Sequence, residues 1–143
     1  MENEVNWALY YSYINQANRY STKRRNSVAK QNELSAKIAR LRAALGSIDR
    51  TINNASMVKQ RVTEVQQVNS GEFRGNKADE SSRKGQVFHQ TLSELERKHS
   101  ENRGRISQKL SELESDLSEQ IAITQSATSN MYYYNALANE LLY

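Results

Sequence analysis

The chain contains no proline and no cysteine in 143 residues, and only five glycines. A proline inside a helix costs about 3 kcal/mol, so its complete absence permits helices of unusual length. Disordered chains of comparable polarity are commonly rich in proline, and this one is not. The lack of cysteine excludes disulfides, thiolate metal sites and a cysteine nucleophile. Apolar residues are also scarce, at 37% of the chain, and the mean hydropathy is −0.85. A compact ball of this size needs more apolar side chains than that, whereas an elongated helical assembly with a narrow apolar seam does not. No apolar run approaches the roughly 20 residues that cross a bilayer, so no stable membrane insertion is expected. The opening Met-Glu-Asn-Glu-Val lacks the basic region and apolar core of a signal peptide. The expected location is the cytoplasm, with co-export alongside a partner as the route outward.

What is present is heptad periodicity. Leu34, Ile38, Leu41, Leu45, Ile48, Ile52 and Ala55 alternate steps of four and three, the signature of a coiled-coil seam. The pattern continues less strictly through Val58, Val62, Val65 and Val68. A second stretch repeats it with Phe88, Leu92, Leu95 and His99, then Ile106, Leu110, Leu113, Leu117 and Ile121. The net charge of +4 is unevenly spread. Residues 1–70 carry 11 Lys/Arg and 5 Asp/Glu, giving +6, and residues 71–143 carry 9 and 11, giving −2. Opposite signs favour pairing of the two stretches, and a solvated surface with uneven charge is the plainer reading.

Between the stretches lies Asn69-Ser-Gly-Glu-Phe-Arg-Gly-Asn-Lys77, the strongest breaker cluster in the chain. Ser70 or Asn76 suits a helix cap, and Gly71 a left-handed C-terminal position. The expected fold is all-α: a single antiparallel hairpin over 1–143, with arms of about 3–69 and 77–141 and a turn over about 70–76. Facing residues then have numbers that sum to about 146, placing Leu34 near Leu113, Leu41 near Ile106 and Ile52 near Leu95. Asn53-Asn54, Gly104 and the polar stretch Tyr20 to Lys30 are the expected weak points. The hairpin gathers most aromatics at its open end, with Trp7, Tyr10, Tyr11, Tyr13 and Tyr20 from one arm and Tyr132, Tyr133, Tyr134 and Tyr143 from the other. Trp7, Tyr10, Tyr13, Met131, Tyr132, Tyr133 and Tyr134 are candidates for partner binding, because aromatics are enriched in interface hot spots. Packing of the termini on each other is the competing reading.

No catalytic constellation emerges. His89 and His99 lack the four-residue spacing of helical metal ligands, and the serines have no evident base or oxyanion partner. No phosphate-cradling glycine loop is present, and no cofactor is expected. His99 fits a polar seam residue that tunes register. Lys23-Arg24-Arg25 with Arg19 and Lys30 is a basic patch without an accompanying nucleic-acid signature, and a solvated helix face explains it more simply.

An aromatic residue, any residue and a glycine between two amphipathic helices, here Phe73-Arg74-Gly75, resembles the Trp-x-Gly turn of the WXG100 (ESX) superfamily. Phe73 stands where that family has tryptophan, and the chain is longer than typical members. It is most similar to the small helical-hairpin proteins associated with LXG toxins of type VIIb secretion systems in Gram-positive bacteria. The resemblance implies a non-enzymatic, chaperone-like accessory factor that binds the helical LXG domain of a secreted toxin. It also implies a second small hairpin protein in the complex, while a homodimer is compatible. The family's Tyr-x-x-x-Asp/Glu export signal is missing, since Ala136, Leu137 and Ala138 follow four residues after Tyr132, Tyr133 and Tyr134. A partner then has to carry that signal. Two other functions are consistent with the residues: a self-associating coiled-coil spacer, and a nucleic-acid or membrane-surface binder using Lys23, Arg24 and Arg25.

Overall fold

A computed structural model describes residues 4–72 and 76–143, with side chains for all of these except 69–72 and 76–78. The chain forms two helices, α1 (Trp7–Glu72) and α2 (Asn76–Glu140), packed against each other as an all-α hairpin. The turn residues Phe73 and Gly75 lie outside the described residues. Asn6 caps α1: its Oδ1 accepts the Leu9 amide at 3.1 Å, satisfying a donor that the first helical turn leaves free. At the far end of α2, Leu141 and Leu142 donate to the carbonyls of Ala138 and Asn139, three residues back, and tighten the last turn.

Neither helix breaks where breaks were expected. Asn53-Asn54, Gly104 and the whole of Tyr20–Lys30 are helical. Polar residues do not end a helix when their polar groups find partners. Thr51, Thr63, Thr91, Thr124 and Thr128 each turn the hydroxyl back to the carbonyl four residues earlier. In Tyr20–Lys30, Ser27 faces the partner helix and hydrogen-bonds to it.

The hairpin divides into two units: Met1–Ala39 with Ser111–Tyr143, and Arg40–Leu110. In the first, the buried apolar residues are Ala17, Ile38, Leu113, Ala127 and Ala138, and Ser27 is buried among them. In the second, Ala55 is the buried apolar residue among those described.

The pairing is antiparallel, and the sums of touching residues run from close to the expected value upward. In the first unit the numbers of touching residues sum to 147 for Ser27 with Gln120 and 155 for Gln31 with Thr124. In the second they sum to 148 for Gln66 with Ser82 and 155 for Lys59 with Glu96. The expected value was about 146. Part of the difference lies in the connection, centred at residue 74 between Glu72 and Asn76. The rest follows from side-chain direction. Each helical side chain leans toward its own N-terminus and covers a spot about one residue back, so in an antiparallel pair touching residues sum to about two more than level ones.

Candidate functional site

The seam sorts side chains into those that zip the hairpin and those it leaves facing outward. On α1 the inward positions follow one unbroken alternation of four and three: Leu34, Ile38, Leu41, Leu45, Ile48, Ile52, Ala55, Lys59, Val62 and Gln66 are all buried or half-buried. The same alternation runs backward through Gln31, Ser27, Tyr20, Ala17, Tyr13 and Tyr10, with exposed Arg24 the one departure. On α2 it passes through His89, Leu92, Glu96, His99, Arg103, Ile106, Leu110, Leu113 and Leu117, buried or half-buried except for exposed Arg103.

Several apolar residues assigned to the seam from sequence are therefore outside it. Val58, Val65 and Val68 are exposed, Val65 by 57%. Phe88 and Leu95 are exposed by 48% and 39%. The reason is phase. Four steps on from Ala55 is Lys59, and a rigid helix cannot slip one residue to bring Val58 inward. Lys59 and Glu96 instead meet across the seam at 3.1 Å, largely shielded from solvent. The other carboxylate oxygen of Glu96, Oε1, is buried without a partner.

A polar layer interrupts the apolar contacts of the first unit. Ser27 Oγ lies 2.8 Å from the Gln120 carbonyl and 2.7 Å from Thr124 Oγ1, and Gln31 Nε2 donates to Thr124 Oγ1 at 2.5 Å. The Thr124 hydroxyl has its own acceptor in the Gln120 carbonyl at 2.9 Å. Ser27 has a single proton to give, so these contacts form one shared network. Such layers set register in coiled coils, because a slip leaves their groups unpaired. Elsewhere, Asp49 Oδ1 accepts the Arg103 Nε–H at 2.6 Å across the helices of the second unit. That hydrogen bond, and then the carboxylate's charge, raise the guanidinium above its ordinary pKa. Arg103 is therefore charged throughout the working pH range.

The aromatic candidates divide in two. Tyr134 stacks on Tyr20, with ring centroids 5.8 Å apart and 9° between planes, and meets Tyr13 at 6.1 Å. Tyr13 and Tyr20 are one heptad apart, and buried Ala17 midway leaves room for the ring between them. These three join the two ends of the chain. Trp7, Tyr10 and Tyr11 cluster on α1, with Trp7 edge-on to Tyr10 at 5.6 Å. Tyr10 and Met131 are half-buried. Trp7, Tyr11, Tyr132 and Tyr133 point outward, Tyr132 by 62%. Three consecutive tyrosines point in different directions on a helix, so self-packing and outward display coexist.

The apolar surface that sequence reasoning missed lies in the second unit. Val58, Val62 and Val65 of α1 face Gly85 and Phe88 of α2 around a groove of about 410 Å³. Arg61 and Lys84 line it as well. The signal was in the sequence, as apolar residues out of phase with the seam. In the first unit, a groove of about 360 Å³ is lined by Arg19, Lys23, Lys30, Ser27 and Ile123 among others. Among the described residues there is no group of three or more His, Asp or Glu placed to hold a metal ion. No described helix is long and apolar enough to cross a membrane.

No protein-family model matches this chain, and no curated protein matches it.

Proposed function

We propose that this protein is a non-enzymatic accessory factor of type VIIb secretion, which binds the helical N-terminal LXG domain of a secreted toxin. One observation carries the reading: the hairpin closes its seam yet leaves apolar side chains uncovered beside it, at Val58, Val65, Val68, Val87 and Phe88. Its two long helices flank a short Phe-x-Gly segment, which is the resemblance that points to a toxin partner. The mechanism is completion of a core. Apolar stripes on hairpin and toxin bury each other at about 25 cal/mol per Å² before the costs of association. The bound LXG helices are then held in an export-competent bundle in the cytoplasm, with a second small hairpin protein completing it.

Co-expression with the N-terminal LXG domain of a candidate toxin tests the reading. Co-purification of the two in a fixed ratio is the expected result. A folded chain that elutes alone, in the presence of soluble LXG domain, contradicts it. Uncovered apolar faces also suit a self-associating spacer, and light scattering separates that case: it requires a dimer or larger without any partner.

A further inference from the structure

The groove between Val58, Val65 and Phe88 has the spacing of a coiled-coil face. Val58 and Val65 are seven residues apart on α1, and exposed Phe88 and Leu95 are seven apart on α2. Each helix thus offers apolar knobs at the heptad repeat beside the seam already formed, as in bundles of three or more helices. At Gly85 the Gln66 side chain lies over the backbone and forms part of the groove lining.

Charge narrows the occupant. Among the described residues, the charged side chains lining the groove are Arg61 and Lys84, both cations. Lys84 has an ion pair with Glu80 at 3.4 Å, but both side chains are well exposed and such pairs are weak. A second copy of this chain is a poor fit. An isologous contact sets one patch against itself, bringing Arg61 and Lys84 of one copy toward those of the other. Nucleic acid satisfies the cations and leaves the valines and Phe88 uncovered.

We propose that this groove is the docking site for an amphipathic helix of another protein, with apolar residues at heptad spacing and acidic residues on its flanks. The inference rests on the partner-binding function above, and adds where the helix lies and which charge it carries.

The test uses the full chain and two labelled helical peptides of three heptads. Both have leucine at the a and d positions; one has glutamate at e and g, the other lysine. Fluorescence anisotropy is expected to show the glutamate peptide binding at least about tenfold more tightly. Arg61→Glu combined with Lys84→Glu is expected to invert the preference. Val65→Asp is expected to weaken binding of the glutamate peptide by at least about tenfold, with unchanged circular dichroism because Val65 is exposed. Equal binding of both peptides, or a charge reversal without effect, overturns the proposal. So does displacement of the peptide by a DNA duplex, or a homodimer that Val65→Asp dissociates. If the LXG domain co-purifies equally well with Val65→Asp, the toxin function stands and the groove does not serve it. If the peptides behave as expected and no LXG domain co-purifies, the groove stands and the toxin partner is wrong.

Discussion

Individual side chains in this hairpin are best understood from what stands opposite them. Gly104 has nothing within 4 Å of the position a Cβ would occupy. Glycine inside a helix costs about 1 kcal/mol relative to alanine, so Gly104→Ala should stabilise the protein by about that amount and raise Tm by a few degrees. Gly85 is different. The Gln66 side chain lies over it, with Nε2 within 2 Å of where a Cβ would be, and donates to the Ser82 carbonyl at 3.1 Å. Gly85→Ala gains the same propensity and displaces Gln66, losing a hydrogen bond worth about 1 kcal/mol. Thermal melts should show a clear gain for Gly104→Ala and little change for Gly85→Ala. Equal gains would mean that Gln66 moves aside freely.

Within each helix, the phase of the seam governs what a substitution costs. Leu41 lies on the inward alternation and is half-buried, whereas Leu95 is exposed by 39%, one residue before inward-facing Glu96. An unpaired carboxylate in the seam carries a desolvation penalty that an outward one avoids. Leu41→Asp should cost about 3 kcal/mol or more and Leu95→Asp about 1 kcal/mol or less, read from denaturant midpoints. Similar costs would place Leu95 in the seam after all. The sequence made this distinction available. From Ile106 backward, strict alternation of three and four reaches Arg103, His99, Glu96 and Leu92, and from Ala55 forward it reaches Lys59. Hydrophobicity favoured Val58 and Leu95 instead. Periodicity is the stronger guide, because helix geometry is stiff while one charged pair can be tolerated in a seam when its members meet.

Across the chain, burial is unevenly shared. Among the described residues, five of the six buried apolar side chains, together with the polar layer at Ser27 and Thr124, belong to the unit containing both termini. The unit over Arg40–Leu110 has Ala55 buried and uses the Lys59–Glu96 pair in its seam. Local opening is easier where fewer apolar contacts must be broken. Amide exchange should therefore be faster over 40–68 and 79–110 than over 10–39 and 111–138, by roughly tenfold or more for a difference of about 1.4 kcal/mol. Uniform protection would mean that the hairpin opens only as a whole. The thinner unit is also the one with the valine groove, so a helix docked there should slow its exchange most.

Two helices, the phase of each apolar stripe and the gathering of aromatics at the termini were written along the chain. All three come from spacing within one helix, or from a reversal near its middle. The exact offset between the helices was not legible, and neither was the pairing of Lys59 with Glu96. These depend on how side chains from two helices lean past one another and which polar groups find partners when they meet. That matching exists only once both helices are in place, since a spacing read along one strand of residues carries no information about its offset from another.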